Sequence, residues 1–332
     1  MVTLTAEALA SGVDMRWAEE IRRLAERNDA VILAHNYQVP AIQDVAHYVG
    51  DSLELSCISA ELDQRVIVFC GVHFMAETAK ILAPDKTVLI PDQLAGCSLA
   101  ASMTAEEARR WKSEFDNPVL VVYVNTSAEV KAEADYCVTS ANATKVVESI
   151  PDDVDLLFGP DMFLGSAVER MTGRKMHVWM GECHVHAGIQ PTDIRKTLDD
   201  NPSSELLVHP ECGCSSQCMY LASTGDLPED RTFIVGTGGM VRRMRESSAD
   251  KFIVATETGM LHRLHKENPE AELIAANEAA VCGYMKMITP AKLMETLVAL
   301  DGGSDLSRYE VDVDPAIRER ARIPIERMIA IS

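Results

Sequence analysis

The feature that most constrains this 332-residue chain is a strand–loop–helix pattern that runs through the same order three times. In the first pass an apolar strand ends in His35-Asn36-Tyr37, Ser52 follows, a second apolar run ends at Gly71, and Cys97 closes the unit. The second pass reads Tyr123-Val124-Asn125, Ser140, Gly159 and Cys183. The third reads His209-Pro210-Glu211, Ser223-Thr224, Thr256-Glu257 and Cys282, with an insertion holding Gly236-Thr237-Gly238-Gly239. Repeats of roughly 85 to 100 residues mark an internally duplicated architecture. Any α/β protein offers similar strand–loop–helix strings. That alternation does not explain one late cysteine per unit at a nearly constant offset.

Short apolar runs alternating with amphipathic stretches predict an α/β fold with parallel sheets. Strands are expected at 31–34, 66–69, 88–90, 119–124, 156–158, 177–179, 206–208, 233–235, 252–255 and 273–275. Helices are expected at 42–49, 76–82, 105–115, 128–132, 192–198 and 290–300. Pro40 and Pro290 suit first-turn positions, Gly50 a C-terminal cap, and Thr126 with Glu129 a capping box. The repeats divide the chain into domains 1–100, 101–188 and 189–332, the last with a C-terminal segment.

Lys plus Arg number 31 and Asp plus Glu 51, a formal net charge of −20. Such a field repels phosphate backbones, so nucleic acid and anionic membrane surfaces are poor partners. No run reaches the roughly 18 apolar residues a membrane helix requires. The N-terminus lacks a basic segment followed by an apolar core, so no secretory signal is read there and a cytoplasmic location follows by default. Nine cysteines, an odd number over a long chain, favour metal or redox chemistry over a disulfide framework.

In open parallel sheets, ligands bind beyond the carboxyl ends of the strands. Each polar triplet occupies that place, and three small domains around a pseudo-threefold axis would aim them at one cavity. Ser52, Ser140 and Thr224 each precede an expected helix, where a hydroxyl and free backbone N–H groups can hold a phosphate or carboxylate. Singly each reads as a plain N-cap; at matching places in three repeats they read as a site. Cys97, Cys183 and Cys282 supply three thiolates. Structural zinc usually takes four ligands, often in Cys-x-x-Cys pairs, and no such pair exists here. A [4Fe–4S] cluster held by three cysteines keeps one iron open to act as a Lewis acid. The alternative for each is a small buried hydrophobe.

Other candidates are weaker. Cys212, Cys214 and Cys218 form a local cluster whose spacing matches no standard ligand motif, and accessory or redox-responsive thiols are the preferred reading. Cys57, Cys70 and Cys137 are expected in the core. Among the residues of GECHVH, His184 and His186 alternate on a loop, where either could ligate a metal or meet a substrate. GTGGM lacks the dinucleotide-binding spacing and is read as a tight turn.

These words together resemble the quinolinate synthase family, the iron–sulfur enzymes of NAD biosynthesis. The resemblance runs from AHNYQ at 34–38 to CGYMKMITPAKL at 282–293 and includes GDSLELS, GVHFMAETAKIL, GCSLA, FGPDMFLG, GECHVH, HPEC and TETGMLHRL. It implies three pseudo-symmetric three-layer αβα domains around a central active site. It implies a transferase that condenses iminosuccinate with dihydroxyacetone phosphate to give quinolinate, phosphate and two waters. An L-aspartate oxidase or dehydrogenase would supply the imine.

Carried over residue by residue, Cys97, Cys183 and Cys282 match the family's cluster ligands. His35, Tyr37, Ser52, Tyr123, Val124, Asn125, Ser140, His186, His209, Pro210, Glu211 and Thr224 match its substrate-contacting positions. Glu211 is the expected principal acid/base, with Tyr37 and His35 assisting proton movement. Two departures stand out. The segment after HPEC is short, so Ser223 competes with Thr224 as the contact, and Met285 replaces the middle cysteine of a string some members carry. Rival readings are a radical-generating diphthamide-synthesis type of cluster enzyme, which would bind S-adenosylmethionine, and a non-enzymatic redox or metal sensor built on CGCSSQC.

Overall fold

The computed structural model describes residues 15–213, 215, 218 and 227–331. Runs rich in Val, Ile and Leu pack best on a pleated surface buried on both faces, and they form the strands here. The first repeat holds β1 (Ala30–His35), β2 (Tyr48–Gly50), β3 (Val66–Cys70) and β4 (Thr87–Leu89). The second holds β5 (Val119–Tyr123), β6 (Tyr136–Val138), β7 (Leu156–Gly159) and β8 (His177–Val178). The third holds β9 (Glu205–Val208), β10 (Thr232–Ile234), β11 (Lys251–Ala255) and β12 (Glu272–Ala275).

The three sheets share one order: β2-β1-β3-β4, β6-β5-β7-β8 and β10-β9-β11-β12. Every strand pairing within them is parallel. In each, the chain moves from the first strand to one side, then returns to the other side for the third. The crevice between first and third strands is therefore the switch point where α/β sheets bind ligands. The three-repeat α/β fold read from the sequence is the fold observed.

By contact the chain falls into two compact units, 1–96 with 283–313 and 97–282 with 314–332. In the first, the helix Pro290–Asp301 packs on the helix Met15–Arg27, and Val311 N donates to Val88 O of β4 at 2.8 Å. In the second, which contains the second and third sheets, the helix Pro315–Ala330 packs on β6 and on the helix Ala128–Lys131. Asn142 Nδ2 donates to Met328 O at 2.9 Å, and Arg327 Nη1 to Asp135 O at 2.6 Å. No helix among the described residues is long and apolar enough to cross a membrane.

Local expectations differ from the structure in identifiable ways. The helix expected at 42–49 is the helix Pro40–Val45 followed by β2, because Ala46 is extended and residues 48–50 pair with β1. Gly50 is accordingly the end of a strand, not a helix cap. Thr126 does not cap: its hydroxyl donates to Tyr123 O at 3.1 Å, and Ser127 caps the helix Ala128–Lys131. The capping box of the described chain with Thr and Glu is Thr104 with Glu107. GTGGM is not an isolated turn but the start of the helix Thr237–Glu246, with Gly236 at its cap. Pro40 and Pro290 do open their helices. Cys70 and Cys137 are buried, whereas Cys57 is half-buried.

Candidate functional site

The second unit brings together residues from the switch points of its two sheets. At the end of β9, His209 N still donates to Ala255 O at 3.1 Å, after which Cys212 N closes a turn on His209 O at 2.9 Å. That turn presents Glu211, which is buried. Its Oε1 accepts a hydrogen bond from the hydroxyl of Tyr123, the last residue of β5. Its Oε2 lies 3.3 Å from His186 Nδ1. His186 Nδ1 is also 3.2 Å from Cys183 Sγ, and its Nε2 is 2.9 Å from the hydroxyl of Thr256, which follows β11.

His209 stacks on His186 with ring centroids 4.8 Å apart. Its Nδ1 accepts from Glu211 N at 3.3 Å, which puts the ring proton of the neutral form on Nε2. Burial pushes the His209 imidazole down to about 4, so it is neutral at pH 7. For Glu211, burial raises the carboxyl, but the neighbouring imidazoles and the Tyr123 hydroxyl outweigh it and hold the group at about 2. Burial lowers His186, yet Cys183 and Glu211 beside it bring it well above the ordinary imidazole value. The result is a buried carboxylate paired with His186, with a neutral His209 stacked against it.

Cys97, Cys183 and Cys282 are all half-buried in this unit and outside any disulfide. Burial pushes the Cys97 thiol up, and its charge also feels Cys183, Cys282 and Glu211, so these groups are electrostatic neighbours. Ala100 N points at Cys97 Sγ at 3.5 Å. Cys183 and Cys282 pack on one apolar cluster. Three sulfurs that repel one another as thiolates fit a cation bound among them. Cys282 is held by its backbone: its N–H donates to Glu257 Oε1 at 3.0 Å.

The remaining expected residues are placed as follows. Val124 is buried after β5, and Pro210 is buried with its carbonyl accepting from Ser215 Oγ at 3.0 Å. Asn125 Oδ1 is a buried acceptor without a donor. Ser140 follows β6, and its hydroxyl lies so close to Gly236 that a Cβ there would sit 2.5 Å from it. In the first unit His35 ends β1 and meets Tyr37 edge-to-face at 4.6 Å, both buried. Ser52 is the first residue of the helix Ser52–Glu61, but Asp51 is its cap, accepting from Leu53 and Glu54 N at 2.9 Å. Ser223 and Thr224 lie outside the described residues. His184 is exposed and bonds Ser98 at 2.7 Å, apart from the His186 group.

Sequence reasoning passed over Asp161, Thr256 and Glu257 as functional groups. All three follow the third strand of their sheet and are buried. Asp161 caps the helix Met162–Thr172 through Oδ1, while its Oδ2 is buried without a hydrogen-bond partner. Burial first, then the Glu211 charge, raise its carboxyl well above the usual range. The signal lies in the topology: a switch point takes residues from two strand ends, and these three follow the second of them.

The family described as quinolinate synthetase A protein matches residues 19–330 of this chain. The quinolinate synthase of Mycobacterium sp. (strain KMS) is 57% identical over 316 residues, covering 95% of this chain and 92% of its own length. That of Mycobacterium tuberculosis (strain ATCC 25618 / H37Rv) is 56% identical over 319 residues, covering 96% of this chain and 89% of its own.

Proposed function

We propose, from the premise that this chain belongs to the quinolinate synthetase A family, that it condenses iminosuccinate with dihydroxyacetone phosphate, giving quinolinate, phosphate and two waters. It is thereby an enzyme of NAD biosynthesis, a cytoplasmic transferase whose imine comes from an L-aspartate oxidase or dehydrogenase. What supports the proposal is that one unit carries Cys97, Cys183 and Cys282, with Cys183 against a buried group made by Tyr123, His186, His209 and Glu211 and with the charges of Cys183, Cys282 and Glu211 acting on Cys97.

Cys97, Cys183 and Cys282 would hold a [4Fe–4S] cluster. When bound, that group supplies a Lewis-acidic iron with a position open to a substrate oxygen. Glu211 takes up and returns protons during carbon–carbon bond formation and the two dehydrations. Tyr123 fixes Glu211 Oε1 and His186 fixes Oε2, so the carboxylate meets substrate in one orientation. His209, neutral, offers its Nε2–H as a donor. Asn125 Oδ1 awaits a donor, which an imine N–H or a hydroxyl of the substrate supplies. Burial of this group keeps water from the labile imine.

Val124 and Pro210 would contribute backbone to the substrate site, and Ser140 and Thr224 hydroxyls for phosphate or carboxylate. For the first unit, His35, Tyr37 and Ser52 are assigned to substrate contact and proton handling on their motif alone.

Anaerobically purified protein should hold about four irons per chain and form quinolinate from the iminosuccinate–triose phosphate pair. Colourless protein, or iron accompanied by S-adenosylmethionine cleavage and no quinolinate, would overturn the assignment.

A further inference from the structure

Cys183 caps the four-residue helix His184–Ala187, and His186 follows it one turn on, so their side chains emerge on the same face. Glu211 reaches the pair from the end of β9. Cys183 Sγ, a ring nitrogen of His186 and a carboxylate oxygen of Glu211 all lie within 4.8 Å of one another. The two shortest separations are 3.2 Å, sulfur to Nδ1, and 3.3 Å, Nδ1 to Oε2. A tetrahedral zinc ion with ordinary bond lengths sets ligand–ligand edges of roughly 3.2–3.6 Å. The side chains thus already stand near the spacing such an ion imposes.

The surroundings of His186 Nδ1 point the same way. Its Nδ1 faces two acceptors, a sulfur and a carboxylate, and one N–H cannot be directed well at both. A cation that takes the place of the Nδ1 proton is bound by the ring nitrogen, the sulfur and the carboxylate together. The other ring nitrogen is held by the Thr256 hydroxyl at 2.9 Å, the outer-shell contact that fixes the tautomer of a metal-bound imidazole.

We infer that the cluster-free chain binds one zinc-class divalent cation through Cys183 Sγ, His186 Nδ1 and Glu211, a site that shares only Cys183 with the three-cysteine set. One thiolate, one imidazole and one carboxylate suit Zn²⁺, and leave its fourth position open. Because Cys183 serves both sets, this ion and a cluster exclude one another. Thr256 acts as a positioning residue through His186.

The test is titration of the full-length, cluster-free chain with Co²⁺, followed by displacement with Zn²⁺. One Co²⁺ should bind per chain with a thiolate charge-transfer band and tetrahedral d–d intensity. Cys183→Ser should abolish the band. His186→Gln and Glu211→Gln should each weaken binding at least ~10-fold, and Thr256→Val by ~10- to 100-fold, with Thr256→Ser restoring it. Cys97→Ser and Cys282→Ser should leave the spectrum intact, with circular dichroism verifying the fold of every variant. A band that needs Cys97 and Cys282 but ignores His186 and Glu211 would overturn the inference, as would absence of binding.

The inference separates from the catalytic proposal. A chain that binds Co²⁺ this way but never assembles iron and sulfide sinks only that proposal. One that assembles a cluster yet binds no Co²⁺ sinks only this inference.

Discussion

Glu257→Gln isolates what one buried carboxylate does for Cys282. Glu257 is fully buried, and its two oxygens accept from separate backbone donors, Cys282 N at 3.0 Å and Gly259 N at 2.7 Å. The amide keeps the shape of the carboxylate but replaces one acceptor with an NH₂ group. One backbone N–H then faces another donor. A hydrogen bond to a charged group contributes about 1.5–3 kcal/mol, so the loss should be ~2–3 kcal/mol. If the opening is confined to the loops after β11 and β12, amide exchange at Cys282 and Gly259 should accelerate by roughly 30- to 150-fold. Glu257→Ala orphans both donors and should cost about 2–6 kcal/mol. The assays are hydrogen exchange over 256–285, urea unfolding, and iron retention after reconstitution. Unchanged exchange and an unchanged urea midpoint in Glu257→Gln would refute the claim that this carboxylate holds the cysteine.

Further outcomes are expected. Tyr123→Phe removes the donor to Glu211 Oε1 and should lower kcat by roughly 10- to 100-fold, the equivalent of about 1.5–3 kcal/mol, with iron content unchanged. Glu211→Gln should retain the cluster but lose at least ~10²-fold in rate if it is the main acid/base; an undiminished rate removes it from that role. Cys97→Ala should abolish assembled iron, whereas Cys218→Ala, within the apolar cluster, should leave iron content intact. Glu205→Ala breaks the bond from Arg243 Nε at 2.8 Å and that from Ser247 Oγ at 2.8 Å. With Glu205 8% and Arg243 30% exposed, the cost should be about 2–3 kcal/mol, less than for a fully buried pair. A urea midpoint that does not move would rule this out.

Much of this architecture was legible before any coordinates. The apolar runs of β1, β3, β5, β7, β9 and β11 are long enough to announce buried strands, and the polar words that follow them mark the switch-point loops. β2 and β6 were not legible. β2 is Tyr-Val-Gly and β6 Tyr-Cys-Val, three residues each, and neither stands out from its neighbours in the sequence as a strand. Their existence depends on backbone pairing with β1 and β5, which no local pattern encodes. In the candidate site, Glu211 and the three cysteines stand out by order and spacing. The partnership of Tyr123 with Glu211 could not, because it joins two sheets across 88 positions. Nor could the hold of Glu257 on Cys282, since a lone acidic residue after a strand looks like any solvated loop charge. Caps failed for a simpler reason: adjacent hydroxyls or acids compete for one N–H, and the backbone torsion decides between Thr126 and Ser127, or Asp51 and Ser52.

The return of the last helix, Pro315–Ala330, to β6 has a consequence for biosynthesis. A polypeptide leaves the ribosome from its amino end, so the middle sheet emerges well before the helix that covers it. Until residues 315–330 have been synthesised and have left the ribosome, that flank of the sheet stays open to water and to chaperones. Maturation of this molecule is therefore not strictly vectorial, and a nascent chain stalled before residue 315 should remain protease-sensitive around β6 even after its neighbours have closed.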